Sequence, residues 1–155
     1  MASILAFTRA QPLKTLAPGD TLIEAGESGG ELYVLETGRL IVERDGIDIA
    51  TIIEPGALIG EMSVLLGIDH SATVRAETVS KVRVIEDGLA FLERTPLVAL
   101  HVATLACERL DRTSALLVEM RKETEGKASE QGLLSRLFSA MTEPAKPSGR
   151  IVAHE

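Results

Sequence analysis

The stretch that decides the fold runs from Gly60 to Ala76 and reads Gly-Glu-Met-Ser-Val-Leu-Leu-Gly-Ile-Asp-His-Ser-Ala-Thr-Val-Arg-Ala. It begins with Gly-Glu, continues as a short apolar segment, breaks at Gly67 and resumes as a β-prone Ala-Thr-Val run. A glycine lets the backbone approach a ligand closely, and a helical turn directly after it offers N–H groups to an anion. The pattern therefore predicts an anion-binding turn at Gly60, with the carboxylate of Glu61 beside it.

Short β-prone runs surround this stretch, separated by recurring turn signals. The turn signals are Pro18-Gly19, Gly26, Gly29-Gly30, Gly38, Asp45-Gly46 and Pro55-Gly56. The predicted strands are 21–24, 31–36, 39–44, 48–54, 73–76 and 80–85. Short strands with turns at this spacing are typical of a β-sandwich or barrel. Asp45-Gly46, placed between two apolar runs, predicts a tight β-hairpin.

Three further segments contain the same combination of turn residues and short β-prone runs. They are Pro-Gly-Asp-Thr-Leu-Ile-Glu-Ala-Gly-Glu (18–27), Leu-Tyr-Val-Leu-Glu-Thr-Gly-Arg-Leu-Ile-Val (32–42) and Glu-Pro-Gly-Ala-Leu-Ile-Gly-Glu (54–61). With residues 60–76 they resemble the cyclic-nucleotide-binding domains of catabolite activator proteins and of the regulatory subunits of cAMP-dependent kinase. The resemblance covers residues 12–123 and implies a mainly β fold with flanking helices: a β-roll (a double-stranded β-helix, or jelly roll) followed by a long C-terminal helix.

Residues 60–76, called the cassette below, correspond to the phosphate-binding cassette of that family. The resemblance implies that Glu61 binds a ribose hydroxyl and that the backbone N–H groups of Met62 and Ser63 face the phosphate. The small residues Ser71 and Ala72 would line the phosphate, and Thr73 would continue this wall toward the base. The full set of implied cassette contacts is Gly60, Glu61, Met62, Ser63, His70, Ser71, Ala72 and Thr73. The alternative for Glu61 is a structural role in the first turn of its own helix, where carboxylates are favoured.

His70 departs from the family pattern, because it stands where the family has a phosphate-binding arginine. Arginine offers a permanent charge and a planar fork, whereas histidine is charged only when protonated. Losing one charge-assisted contact costs about 1.5–3 kcal/mol, roughly ten- to a hundredfold in affinity. If His70 inherits the contact, binding takes up protons and weakens as the pH rises; otherwise it is an idle loop histidine. Arg75 is either a substitute for the missing arginine or a surface residue of its strand.

The sequence becomes helical after Asp87. Thr95-Pro96 fits an N-cap followed by the first helical residue, and no glycine or proline occurs over 97–123, so we predict a long helix over 96–123. Six residues at 4-3-4-3-4 spacing form one coiled-coil-like seam on this helix. They are Ala106, Leu110, Thr113, Leu117, Met120 and Thr124. In the family this helix packs against its twin, which implies a homodimer with Ala106, Leu110, Thr113, Leu117 and Met120 in the interface.

Three residues of the same helix match family ligand contacts. Arg109 matches an arginine that reaches the ribose-binding glutamate, and Thr113-Ser114 match a pair that contacts adenine from both subunits. The alternative for the two hydroxyls is a bond back to the carbonyl four residues earlier, or exposure to solvent. Cys107 is expected to be a small core residue of this helix.

We divide the chain into a lead-in (1–15), a binding domain (16–125) and a tail (126–155). Within the lead-in, Ile4, Leu5 and Phe7 are expected to pack onto the domain. The tail contains a short amphipathic helix predicted over 129–141, whose apolar face holds Leu133, Leu134, Leu137, Phe138 and Met141. This helix either docks on its own chain or binds a partner.

Composition narrows the function classes. Sixteen basic and 23 acidic residues give a net charge of −7, which disfavours binding to nucleic acid. The 32 residues after Glu123 lack a recognition-helix pattern, so we do not expect direct DNA binding. A single cysteine, no signal-peptide pattern and no run of transmembrane length favour a cytoplasmic protein without a membrane role.

The first functional hypothesis is a stand-alone sensor of a cyclic nucleotide, with cAMP favoured and cGMP possible, that signals to a partner protein through its long helix or tail. The alternative is a protein-interaction module with a degenerate or repurposed pocket. A metal-dependent barrel enzyme ranks third, because His70, His101 and His154 are too scattered to suggest a metal site. No catalytic arrangement is readable, so neither a metal nor an enzymatic activity is expected.

Overall fold

The computed structural model describes residues 3–124 and 128–142, without the side chains of 128–131 and 142, and divides the chain into two compact units. The first unit ends at Ala99 and the second begins at Leu100. The strands are β1 (Leu13–Leu16), β2 (Thr21–Ile23), β3 (Leu32–Thr37), β4 (Leu40–Arg44), β5 (Ile47–Ile52), β6 (Leu58–Ile59), β7 (Thr73–Ala76) and β8 (Ser80–Ile85). The helices are α1 (Ile4–Thr8), α2 (Glu61–Leu66), α3 (Gly88–Arg94), α4 (Pro96–Glu123) and α5 (Ala128–Thr142).

The strands form two four-stranded antiparallel sheets, ordered β1-β8-β3-β6 and β2-β7-β4-β5. Consecutive strands such as β2 and β3, or β7 and β8, lie in different sheets, so the chain repeatedly crosses between them. Apolar side chains from both sheets form one core: Leu16, Leu22, Ile23, Leu35, Leu40, Ile59, Val74, Ala76 and Val82. The predicted β-roll followed by a long helix is thereby confirmed.

The hairpin predicted at Asp45-Gly46 joins β4 to β5. Both residues have positive φ angles, 53° and 78°, as a tight turn between twisted strands requires. The pairing register of the two strands shifts between Val42 and Glu43 of β4, where Ile49 of β5 is the extra residue of a bulge. Strand β5 is the edge of its sheet, and five of its six residues are exposed, including Ile47 and Ile49. Its outward position explains why an apolar strand contributes little to the core.

The six predicted strands are present with ends shifted by at most two residues. Strands β1 and β6 and helices α1 and α3 were not predicted. Strand β1 pairs with β8 although three of its four residues are exposed, and β6 is only two residues long, so neither has a readable pattern. Of the lead-in side chains, Ile4 is buried whereas Phe7 is exposed.

The long helix has the predicted ends, Pro96 and Glu123, and from Leu100 onward it belongs to the second unit, where α5 includes the predicted tail helix. Leu117 of α4 and Leu134 of α5 are buried, and the guanidinium carbon of Arg121 lies 5.7 Å from the ring centroid of Phe138. The other seam residues of the predicted dimer interface, Ala106, Leu110, Thr113 and Met120, are exposed in the single chain.

The expectation that Cys107 is a core residue is wrong. Its side chain is exposed, because it lies on the stretch of α4 where every residue from Ala106 to Thr113 is exposed in the single chain. Within the described residues, no single helix is both long and apolar enough to span a membrane, although α3 and α4 meet that test jointly as a bent pair.

Candidate ligand-binding site

Gly60 forms the turn that begins the cassette. Its φ of 90° is a left-handed conformation that side-chain-bearing residues rarely adopt. A β-carbon added there would lie 2.9 Å from the backbone oxygen of Glu31. Both observations require glycine at this position, because the backbone of the turn lies directly against the backbone of Glu31.

Helix α2 follows at once and is short. Its first backbone bond joins the Val64 N–H to the Gly60 carbonyl at 3.2 Å, and it ends at Gly67, whose N–H donates to the Ser63 carbonyl at 2.9 Å. Ser63 and Val64 are buried and anchor the helix, while Glu61 is half-buried in its first turn. The N–H groups of a first helical turn have no acceptor within the helix. The predicted phosphate-facing amides of Met62 and Ser63 belong to this turn.

Two loops meet beside α2. The Gly26 N–H donates to the His70 carbonyl at 2.8 Å, and the His70 N–H donates to the Glu27 carbonyl at 2.9 Å. The N–H of Ala25, the residue before Gly26, donates to Oγ1 of Thr73, the first residue of β7, at 3.1 Å. The loop after β2 is therefore bonded along the predicted ligand-binding segment 70–73.

The half-buried side chain of His70 contacts both α2 and the loop after β2. Its Nδ1 lies 2.8 Å from Ser63 Oγ. At the adjoining Cε1–Nε2 edge of the ring, a β-carbon built on Gly29 would be 2.3 Å from both atoms. Sequence reasoning did not predict either contact, because residues 29, 63 and 70 come together only through the packing of the roll.

The remaining predicted cassette residues differ in exposure. Ser71 is exposed, whereas Ala72 and Thr73 are half-buried. Arg75 is the only Lys or Arg of the cassette, and its guanidinium lies 3.1 Å from Asp48 and 3.6 Å from Glu43. Of the two alternatives for Arg75, these ion pairs favour the surface role.

The helix residues predicted to contact the ligand lie in the second unit. Thr113 Oγ1 donates to the Arg109 carbonyl and Ser114 Oγ to the Leu110 carbonyl, each at 2.8 Å. This is the helix back-bonding that was the alternative for both residues. Each hydroxyl oxygen retains its acceptor capacity while its proton is used in this way. The cassette residues 60–63 and 70–73 are brought together within the first unit.

Comparison with known proteins identifies the family. The family model for the cyclic nucleotide-binding domain matches residues 13–90, which are 78 of the 155 residues. The cyclic AMP receptor protein of Thermus thermophilus is 32% identical over 98 residues, 59% of this chain and 45% of the relative. The crystal structure of the Thermus thermophilus catabolite activator protein superposes with a TM-score of 0.64 and 28% identity, covering 76% of this chain and 56% of that one. A cGMP-dependent protein kinase of Plasmodium berghei is 32% identical over 74 residues, 48% of this chain and 8% of the kinase.

A β-roll with a glycine-initiated cassette and a long following helix is the architecture of a ligand-binding domain, and the matched family is of that class. The chain belongs to the cyclic nucleotide-binding domain family. It spans less than half the length of the curated relatives that it matches. What those larger proteins do as a whole therefore comes to this chain only as a proposal.

Proposed function

We propose that this protein binds a cyclic purine nucleotide in its β-roll and acts as a regulatory sensor. The observation that supports the proposal is the left-handed turn at Gly60, which begins α2, together with the contact of the Ser63 hydroxyl of α2 with His70 at the start of segment 70–73. A glycine-initiated turn with amides of this kind suits a phosphate. The two relatives named for cAMP and cGMP indicate that both nucleotides are candidates.

Each cassette residue takes a defined part in this proposal. Glu61 accepts a hydrogen bond from a ribose hydroxyl, and the amides of Met62 and Ser63 face the phosphate. Ser71 and Ala72 form the wall beside the phosphate, and Thr73 extends that wall toward the base. His70 has two possible roles: a direct phosphate contact through Nε2, or support of the loop through Nδ1.

The long helix supplies the base contact and the dimer in this proposal. The exposed seam residues Ala106, Leu110 and Met120 offer an apolar stripe to a second copy of the chain. Thr113 and Ser114 would accept from the exocyclic amine of adenine, which favours cAMP over cGMP, and Arg109 would support the ribose end. The output is a change in α4 or the tail that a partner protein detects, so we infer a regulatory rather than an enzymatic role.

One observation favours the alternative of an interaction module with a repurposed pocket. The cassette holds no positively charged side chain other than Arg75, which is already ion-paired with Asp48 and Glu43. An anion would then be met by backbone amides, Ser71 and His70. Such a site binds more weakly than one with a family arginine, by about the value of one charge-assisted bond, 1.5–3 kcal/mol.

Calorimetric titration with cAMP and cGMP tests the proposal. The unaltered protein should bind at least one of the two nucleotides, and Glu61→Ala should weaken binding about ten- to a hundredfold, since it removes a charged acceptor. Glu86→Ala, which changes an exposed glutamate outside the cassette, is the matched control and should leave the affinity unchanged. Failure of the unaltered protein to bind either nucleotide would favour the interaction module.

The same titration separates the proposed base contact from a purely helical role of the two hydroxyls. Thr113→Val combined with Ser114→Ala should weaken cAMP by about 1–3 kcal/mol, because a buried amine loses its acceptors. Thr104→Val removes a hydroxyl that bonds back to Leu100 in the same way and serves as the control. Equal affinities in all three proteins would leave Thr113 and Ser114 without a ligand role.

A further inference from the structure

The side chain of His70 connects three separate segments of the first unit. Its Nδ1 lies 2.8 Å from Ser63 Oγ on α2, its ring abuts Gly29, and its backbone exchanges hydrogen bonds with Gly26 and Glu27. Ser63 is only 4% exposed, so its hydroxyl depends on a protein partner rather than on water. The imidazole supplies that partner.

Nδ1 is bonded to Ser63, and the Cε1–Nε2 edge of the ring lies against the backbone of Gly29. A ring turned toward an anion would have to give up the Ser63 bond and would leave a buried hydroxyl without its partner. Removing one partner of a buried hydrogen bond costs more than the bond itself contributes, because the remaining group has lost its water. The bond to Ser63 is available to neutral and protonated imidazole alike, since a serine hydroxyl both donates and accepts.

The geometry points to His70 as a positioning residue that holds loop 67–72 against α2 through Nδ1 and Ser63, rather than as a ligand of the phosphate. This inference rests on the proposed binding of a cyclic nucleotide. The ring fixes the distance between the first turn of α2 and the segment that contains Ser71 and Ala72. In this chain the residue at the position of the family arginine, His70, therefore stabilises the shape of the site and makes no charged contact with the ligand.

Two amide side chains distinguish the positioning role from direct contact. The terminal atoms of asparagine are as far from the backbone as Nδ1 of histidine, whereas those of glutamine reach as far as Nε2. Asparagine can therefore bond to Ser63 but cannot replace a contact made by Nε2. Glutamine can replace an Nε2 contact but is one carbon too long for the Nδ1 position.

The test measures cAMP and cGMP affinity by calorimetry in His70→Ala, His70→Asn and His70→Gln proteins whose circular dichroism matches that of the unaltered chain. We expect His70→Ala to weaken binding about tenfold, His70→Asn to restore most of that loss and His70→Gln to restore little. Ser63→Ala should weaken binding as much as His70→Ala, and the double variant should be no weaker than either single one. This non-additivity identifies one shared interaction.

Rescue by glutamine instead of asparagine would overturn the inference and assign Nε2 to the phosphate. Additive losses in Ser63→Ala and His70→Ala would overturn it as well. If the unaltered protein binds neither nucleotide, the proposed function itself fails. If the unaltered protein binds a nucleotide but glutamine rescues binding, or the losses are additive, only the inference about His70 fails and the proposed function stands.

Discussion

The imidazole of His70 lies against Gly29 so closely that a β-carbon added to this glycine would be 2.3 Å from Cε1 and Nε2 of the ring. Gly29 is half-buried and its φ is not in the left-handed region, so the neighbouring ring, not the backbone conformation, requires glycine here. The two positions are thus sterically dependent on each other.

Gly29→Ala should destabilise the protein by about 1–3 kcal/mol, the usual cost of overpacking, when measured by denaturant unfolding. Adding His70→Ala should remove most of the penalty caused by the new methyl group, because the ring it meets is gone. Gly30→Ala is a matched control, since a β-carbon there would meet nothing within 4 Å. Similar losses in Gly29→Ala and Gly30→Ala would argue against the packing described.

The seam of α4 gives a prediction about assembly. Leu110 is 54% exposed in the single chain, so Leu110→Asp should leave the chain folded but convert a dimer to a monomer in sedimentation. A carboxylate buried in the interface without a partner costs several kcal/mol. Ala115→Asp lies on the opposite side of α4 from the seam, is also exposed, and should remain dimeric. Leu117 is a poorer probe because it is already buried within its own chain.

Helix α5 is expected to stabilise its own unit. Leu134 is 3% exposed, so Leu134→Ala should lower the free energy of unfolding by about 2–4 kcal/mol, whereas Leu133→Ala, at 53% exposed, should change it little. Thermal or denaturant unfolding of both variants decides between the two roles of the tail. If neither substitution changes the free energy of unfolding, the apolar face of α5 instead serves to bind a partner.

Tyr33 gives a prediction about alkaline pH. Burial and the nearby charge of Glu31 raise the pKa of its phenol above the ordinary value of 10.0. The native chain therefore keeps the proton longer than the unfolded chain, so this stability is present below pH 10 and is lost as the pH rises toward the native pKa.

The chain has one tyrosine and no tryptophan, so phenolate absorbance reports Tyr33 alone. Its midpoint should be above 10 in the native protein and near 10 in denaturant. Tyr33→Phe should lose less stability than the unaltered protein between pH 9 and about 11. A midpoint near 10 in the native protein would contradict this expectation.

Local sequence patterns predicted six of the eight strands of the β-roll but neither β1 nor β6. Asp45-Gly46 and the uninterrupted helix after Pro96 carry their own conformational signals, and the structure has both. The two-residue β6 exists only because Tyr33 and Val34 of β3 pair with it, which no local pattern encodes.

The site shows the same division between local and long-range information. The turn at Gly60 was readable because glycine, a carboxylate and an apolar run are adjacent in sequence. The contact between Ser63 and His70 was not, since it depends on how loop 67–72 folds back onto α2. Cys107 was misjudged because the absence of a neighbouring group that could activate its thiol does not place a residue in the core.

The exposed edge of β5 has a consequence for handling this protein in solution. Strand β5 is paired only on its β4 side, so its outer edge, with Ile47 and Ile49 exposed, is a template to which a strand of another molecule can be added. The bulge at Ile49 twists this edge, and the charged residues Arg44 and Asp45 lie at its tip; both features oppose the addition of another strand. A dimer joined through α4 would carry two of these edges. At high concentration, or after loss of the charges at the tip, such dimers should therefore associate through β5 into linear oligomers.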